Sequence, residues 1–544
     1  MAEKTLKSVI LVESGAKART LRKFAGRMYS VMSTDGFLKD LPKSRIGVDD
    51  DYQPDYITVR GKGKLLTELK RETLKARRVF FATNPDAQGE FLARQYCELF
   101  GVNPDSRCRL LLNELTKDAF KAAMEDAQPI NENLAEAFQT KQLLDKYVSH
   151  KVGEYLSRAI WRGVKVGRFR AMLLRLIAEA PAQIEATVGQ SLTSATLQEL
   201  ARQELDFSAA RTRIIADQLY EGMNFEAGSC GGLITYPHGK AIALTSERRE
   251  PDAVRKYLTE QQFKVYSLIY AQLATPAQIK LAGSDDAALM AKFDALGVDW
   301  AEYYAVGIAS LIKRKYITAA DSTYKVTALG QRVLDALAGF FDDVFSATAY
   351  NEVADKLREV ATGKVQKSNV IENYCAMFNA AYSEAMATLG EDAQPQSEPV
   401  VESEETCDKC GRKMLIRHGR YGMFLACSGY PECKNTKPLL EPLAQKCPKC
   451  GGQLARRSIS RGRTFYCCTS CDFSTWDEPQ TITCKVCGST MFAHRFRDRT
   501  PMFYCGNEAC STRENHPMNK ILADIKKRAE ARRERKARKS EAQS

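Results

Sequence analysis

Apolar and polar positions follow two different periods along the first part of the chain. Ser8-Val9-Ile10-Leu11-Val12 is a short unbroken apolar run, the pattern of a buried strand, and Lys17 to Gly26 has helical spacing. Arg78-Val79-Phe80-Phe81-Ala82-Thr83 repeats the strand pattern ahead of a helix from about Gly89, and Leu110-Leu111-Leu112 gives a third run. Strands alternating with helices predict a parallel α/β sheet in residues 1–130. Residues 131–390 read as a mostly helical body, with amphipathic stretches over 137–156 and 194–221. Within it, 286–330 predicts a winged helix. Helices over 287–296 and 300–313 precede a hairpin of Tyr316-Ile317-Thr318 and Tyr324-Lys325-Val326, with Asp321-Ser322 in the turn. More helix follows to about 389.

The polar segments add organisation. Residues 391–406 hold six acidic residues, two prolines and no basic residue, which predicts a linker. Lys520 to Lys539 holds ten Lys or Arg, so 519–544 reads as a basic tail that is either a solvated helix or a phosphate-binding arm. The 544 residues carry 80 basic and 67 acidic side chains, a net charge of +13 that suits a polyanionic partner, chiefly nucleic acid. No apolar run reaches the length of a membrane span, and the N-terminus lacks the apolar core and cleavage site of a signal peptide. These features predict a cytoplasmic protein with no membrane partner.

Cysteine changes the picture of the C-terminal quarter. Four of the 17 cysteines are scattered (Cys97, Cys108, Cys230 and Cys375), and the rest lie between Cys407 and Cys510. Without a secretory signal, such clustering argues for metal over disulfides. Cys407-x2-Cys410 with Cys427 and Cys433, Cys447-x2-Cys450 with Cys468 and Cys471, and Cys484-x2-Cys487 with Cys505 and Cys510 give three four-thiolate sets. Each set suits one closed, structural Zn²⁺ site, so about three zinc ions are expected, in β ribbons at 407–440, 441–480 and 481–518. Spacing leaves open whether Cys467 or Cys468 is the ligand. Between the cysteine pairs lie Arg417, Arg420, Tyr421, Arg463, Phe465, Arg497 and Phe503, with other basic and aromatic residues. Basic residues interleaved with aromatics suit single-stranded nucleic acid; aromatics that only fill a thin core are the competing reading.

A series of motifs then carries a resemblance. Val12-Glu13-Ser14-Gly15-Ala16-Lys17 is similar to the VESPAKA opening of type IA DNA topoisomerases. In the same order, Gly36 to Pro42 resembles GHIRDLP, Gly61-Lys62-Gly63-Lys64 a lysine-rich strand end, and Thr83 to Glu90 stands in place of TDPDREGE. Asn113 to Thr116 resembles NEIT, Leu144-Asp145-Lys146 LDR, and Gly167 to Ala171 GRVQS. Ser194 to Gln198 resembles STLQ, and Gly232 to Tyr236 resembles GLITY. The resemblance covers most of residues 7–390 and implies an N-terminal TOPRIM domain, a DNA-binding body and C-terminal zinc ribbons. It implies Tyr236 as the nucleophile of a 5′-phosphotyrosyl link, Glu13 as general acid or base, Lys17 stabilising phosphate charge, and Arg168 on the DNA backbone. Independently, Glu13 lies after a buried strand and before a helix, the edge where open α/β sheets place their sites.

The departures from the family pattern are specific. The acidic triad that holds Mg²⁺ becomes Asn84, Asp86 and Gln88, so the expected magnesium site of Glu13, Asp86, Asn84 and Gln88 is weakened, with Glu90 nearby. His238 stands where the family has a phosphate-positioning arginine, with Lys240 as a candidate substitute. Only about fifteen residues separate Ile177 from Ser194, and about ten separate Thr275 from Ala287, too few for the family's strand-passage arch. The first reading is therefore an isomerase-type enzyme that binds single-stranded or underwound DNA in the bacterial nucleoid and cleaves and rejoins it. The second is a degenerate relative that binds DNA without turnover. The third is an adaptor that tethers a protein such as RNA polymerase through the ribbons.

Overall fold

The computed structural model describes residues 7–179, 186–188, 191–225, 229–239, 241–276, 279–281, 285–298, 303–320, 323–390, 401–419, 422–459, 463–495 and 501–514. Side chains of some residues within these spans, Arg463 among them, are not described. The chain forms two compact units, Met1–Glu398 and Pro399–Ser544. No described helix is long and apolar enough to cross a membrane.

In the first unit, strand β1 (Ser8–Val12) is buried along its whole length, as its apolar run predicts. Helix α1 (Gly15–Ala25) follows at once because Ser14 caps it, its Oγ accepting the Lys17 amide at 3.1 Å. Strand β2 (Tyr29–Ser33) returns parallel to β1; with Val31 alone buried, it carries too weak an apolar signal to be read from sequence. Helix α2 (Gly63–Leu74) leads to strand β3 (Val79–Phe81), which pairs parallel with β1 on its other side, giving the order β2-β1-β3. Helix α3 (Ala87–Phe100) is capped by Asp86. Gly89 is required there, because a Cβ would lie 2.0 Å from the Asn84 carbonyl oxygen.

The expected third strand at Leu110–Leu112 does not form. Only Arg109 bridges Phe81, and the Arg109 guanidinium turns inward onto the carbonyls of Thr83, Asn84 and Leu110 at 3.0, 2.7 and 2.9 Å. A side chain thus takes up main-chain acceptors that no further strand reaches.

The body begins with α4 (Lys117–Glu125), the long α5 (Glu132–Ala159) and α6 (Arg168–Ala178). Strand β4 (Ala186–Val188) follows. The stretch read as one amphipathic helix is two, α7 (Ser194–Leu205) and α8 (Ala209–Glu221). Asp206 closes the first in the left-handed region (φ 53°) and Ser208 caps the second. After α9 (Glu260–Ala274), strand β5 (Ile279–Leu281) pairs antiparallel with β4 over three residues. The winged-helix expectation is met by α10 (Asp285–Ala295), α11 (Tyr304–Lys313) and the hairpin of β6 (Ile317–Ala320) and β7 (Thr323–Val326). Its turn, Asp321-Ser322, lies outside the described residues, as does Trp300. Helices α12 (Ala328–Leu337), α13 (Ala347–Ala361) and α14 (Lys367–Leu389) complete the unit. One core joins the sheet to the Tyr236 region: Ile10, Val12 and Phe80 share it with Leu197, Leu219, Ile234 and Tyr236.

The second unit holds three antiparallel ribbons. The acidic stretch read as a linker ends early: β8 (Val401–Thr406) is an edge strand against β9 (Lys413–Gly419). An edge strand with polar side chains facing water bonds through its backbone, so acidic composition does not prevent pairing. β10 (Gly422–Cys427) and β11 (Thr436–Pro438) finish the first sheet. The second is β12 (Glu441–Lys446), β13 (Gln453–Ile459), β14 (Arg463–Cys468) and β15 (Ser474–Thr475). The third is β16 (Glu478–Thr483), β17 (Thr490–Arg495) and β18 (Pro501–Cys505). The basic tail from 519 lies outside the described residues.

Candidate active site

The end of β1 delivers Glu13 to the sheet edge, and the first turn of α1 carries Lys17 behind it. Lys17 is fully buried, and its Nζ donates to Glu13 Oε1 and to Asn84 Oδ1, each at 3.2 Å. Its ammonium also lies over the Tyr220 ring, 5.7 Å from the centroid. Burial pulls the Lys17 pKa below the ordinary lysine value, and Glu13 opposes that shift.

The end of β3 supplies the opposite wall. Asp86 is held at both oxygens: Oδ1 accepts the Gly89 amide at 2.6 Å, and Oδ2 accepts the Tyr236 hydroxyl. Asn84 offers its side-chain oxygen to Lys17 and its main-chain oxygen to Arg109. Gln88 stands exposed on the first turn of α3. Glu90 is not available to a ligand. It is 3% exposed, bonded to Arg109 Nε at 2.8 Å and to the Asn131 amide at 2.7 Å. The buried Arg109–Glu90 pair thus fixes α3 to the sheet.

Tyr236 is brought to this wall from 150 positions away in sequence. Its amide donates to the Asn113 carbonyl at 2.7 Å, and its ring meets Tyr220 edge-on at 5.3 Å. Glu114 accepts the Ser246 amide at 2.8 Å, so the NEIT-like segment holds the tyrosine loop from both ends. His238 packs edge-on against Tyr236 at 5.5 Å, and its Nε2 lies 2.7 Å from Asp217 Oδ1. Lys240 lies outside the described residues.

Arg168 does not point to open solvent as a backbone contact would. It is buried against Asp145 at 2.9 Å, which Lys141 also reaches at 2.9 Å. Burial works against the Asp145 carboxylate, yet Lys141 and Arg168 hold it well below the usual range. A cavity of about 310 Å³ nevertheless brings Asp86, Gln88, Arg168 and His238 to one surface, faced by Phe138 and Tyr350. Of the candidates read from sequence, Glu13, Lys17 and Asn84 form one hydrogen-bonded set and Asp86 and Tyr236 a second, and the Tyr220 ring contacts both Lys17 and Tyr236. Gln88, Arg168 and His238 share the adjoining cavity. Arg109, Asp217 and Tyr220 were missed. A lone arginine before the apolar run Leu110–Leu112 was the available signal for Arg109.

The cysteines converge as spacing predicts. Cys407, Cys410, Cys427 and Cys433 form one group, Cys447, Cys450, Cys468 and Cys471 a second, and Cys484, Cys487, Cys505 and Cys510 a third, their sulfurs within 4.8 Å of one another. Backbone amides of Lys409 and Lys449 point at the first sulfur of their knuckles at 3.4 Å. Four convergent thiols fill all four positions of a tetrahedral ion, which suits structural zinc. Cys468 is the one whose sulfur joins the second group; Cys467, on the other face of β14, is left out.

The ribbon aromatics divide between core and surface. Phe492 and Tyr504 are buried in a core shared by the second and third ribbons, so the core-filling reading holds for them. Cross-strand pairs Arg417–Phe424 and Arg457–Phe465 are partly exposed. Phe465 meets Trp476 edge-on at 5.0 Å, and Trp476 is 57% exposed, a platform the sequence reading overlooked. Phe503 is also exposed. Arg420, Tyr421 and Arg497 lie outside the described residues, as does the Arg463 side chain.

Residues 8–115 match the Toprim domain, and residues 404–442 and 444–480 match the topoisomerase DNA binding C4 zinc finger. The third ribbon lies beyond those spans. Full-length topoisomerase I from Thermotoga maritima superposes with a TM-score of 0.61 at 21% identity, covering 79% of this chain and 97% of that one.

Proposed function

We propose that this chain, type IA topoisomerase-like in its domains and fold, binds single-stranded DNA and cleaves and rejoins it through a transient phosphotyrosyl link on Tyr236. The observation that carries this reading is the Tyr236 hydroxyl seated on Asp86, with the Tyr220 ring contacting both Tyr236 and the Lys17 ammonium that holds Glu13. Tyr236 Oη attacks the phosphorus, the P–O3′ bond breaks, and the 5′ phosphate stays on the tyrosine. The link conserves the bond energy as a phosphoester, so the freed 3′ hydroxyl reseals it by the reverse attack, with no external energy source. Lys17 offers positive charge where charge builds on phosphate oxygens. Arg168 and His238 border the cavity through which the strand would enter.

The ribbons serve as the second grip. Arg417 and Arg457 meet phosphates, and Phe465, Trp476 and Phe503 stack bases. The short β4–β5 ribbon occupies the two places where type IA enzymes insert the strand-passage arch. Cleavage and resealing of single strands therefore outrun relaxation of supercoiled plasmid. A DNA substrate puts the protein at the bacterial nucleoid.

The test is direct. A labelled single-stranded oligonucleotide incubated with the protein should give a detergent-resistant adduct that Tyr236→Phe abolishes. Tight binding with no adduct in the wild type overturns the reading in favour of a DNA-binding relative without turnover.

A further inference from the structure

The type IA resemblance implies a magnesium ion between β1 and β3, but the donors present do not fit one. A hard divalent cation needs several anionic oxygens at once. Here Glu90 is sealed by Arg109 and the Asn131 amide. Both Asp86 oxygens are engaged, by the Gly89 amide and the Tyr236 hydroxyl. Glu13 Oε1 holds Lys17, which leaves Glu13 Oε2 as the one buried carboxylate oxygen of the cluster without a partner. The amide oxygen of Asn84 lies on the Lys17 ammonium. Among the described residues, the groups of three or more acidic, His or Cys ligand atoms that converge are the three cysteine sets of the ribbons.

We infer that the site breaks and reseals the phosphodiester without a divalent cation, the Lys17 ammonium supplying the positive charge and Asp86 accepting the Tyr236 proton. This rests on the function proposed above. In the forward step the Oη–P bond forms, the P–O3′ bond breaks, the tyrosine proton passes to Asp86, and the departing 3′ oxygen takes a proton from Lys17. Resealing reverses each transfer: the 3′ hydroxyl gives its proton to the Lys17 amine, and Asp86 returns its own to Tyr236. No other reactant is consumed. Asn84 is central to this arrangement. As a neutral acceptor it orients the ammonium without adding a second anion that would call for a metal. Capping fixes Asp86 at Oδ1, which leaves Oδ2 aimed at the tyrosine.

The zinc-loaded full chain is tested in buffer freed of other divalent ions on a chelating resin, with zinc content checked afterwards. Adduct should form on a labelled oligonucleotide and should reseal to full length when high salt is added. Both extents should agree within about twofold with and without magnesium. An adduct that reseals only after magnesium is added overturns the inference while leaving the proposed function standing. No adduct in either buffer overturns the proposed function as well. Asp86→Asn keeps a capping oxygen but cannot take the proton. It should slow adduct formation by about 100-fold or more with oligonucleotide binding unchanged, and an undiminished rate removes Asp86 from the role. Independently, Mn²⁺ added to the zinc-loaded wild type should keep its free-ion magnetic resonance signal, whereas Asn84→Asp/Gln88→Glu should quench part of it. Quenching by the wild type that Asp86→Asn abolishes contradicts the account.

Discussion

The ribbons and the Tyr236 cleft both gather metal-type donors, and they complete them by opposite means. In the ribbons, twelve sulfurs converge in three sets and meet one another, backbone amides and the neutral side chains of Asn435 and Thr512. Only a cation can balance four thiolates so placed, so the fold there depends on metal. In the cleft, the carboxylates of Glu13 and Glu90 meet Lys17 and Arg109, and amides stand at 84 and 88. The protein supplies its own cations there, and Glu13 Oε2 is the buried carboxylate oxygen that they leave over. The difference teaches that donor type alone does not make a metal site; what decides is whether the chain has already spent those donors.

Zinc removal should separate the two regions most sharply. Structural zinc contributes on the order of 10–16 kcal/mol, so chelation should unfold the Pro399–Ser544 unit and leave the melting of the Met1–Glu398 unit in place. Two transitions by calorimetry that collapse to one would show this, and Cys447→Ser should lower bound zinc from three ions to two. Ribbons that keep their sheet signal without zinc would break the comparison.

The next largest effect belongs to the protein's own cations. Glu90→Ala leaves the Arg109 guanidinium buried and unpaired, which should cost about 3–5 kcal/mol in denaturant unfolding of the first unit. A cost below about 1 kcal/mol would mean that the carbonyl contacts of Arg109 already suffice.

Smaller still is the ribbon surface. Trp476→Ala and Phe465→Ala should each weaken oligonucleotide binding by about 1–3 kcal/mol, seen by fluorescence anisotropy, with zinc content unchanged. Loss of zinc in either variant would assign the pair to the ribbon core.

The smallest effect sharpens the cleft side by pH. Asp145 has its pKa depressed in the folded state, so its ionised form contributes stability above the ordinary carboxylate range, and that contribution fades as pH falls through it. The melting-temperature gap between wild type and Asp145→Asn should be widest near neutrality and close towards about pH 3. Because Asp145 is 40% exposed, water screens the pair and the gap stays modest. A gap that widens on acidification contradicts the Lys141–Asp145–Arg168 linkage.

Much of this was legible where the signal is local. The apolar run of β1, the Ser14 cap and the cysteine spacing each lie within a few residues of what they specify. The relation of Lys17 to Asn84 spans 67 positions and that of Tyr236 to Asp86 spans 150, so nothing in their neighbourhoods announces them. The motif order placed Tyr236 and Glu13 among the candidates but could not say that Glu90 is spent on Arg109. That depends on a guanidinium turning inward from a segment whose pattern reads as a plain strand. Likewise β8 hides in acidic residues because its pairing runs through the backbone.

The central claim is a covalent link at one residue. Protein trapped with single-stranded oligonucleotide, digested and sequenced by mass spectrometry, should yield a peptide carrying the 5′-phosphorylated fragment on Tyr236. Absence of any nucleotide-bearing peptide, or its attachment at another residue such as Tyr220, would contradict the account.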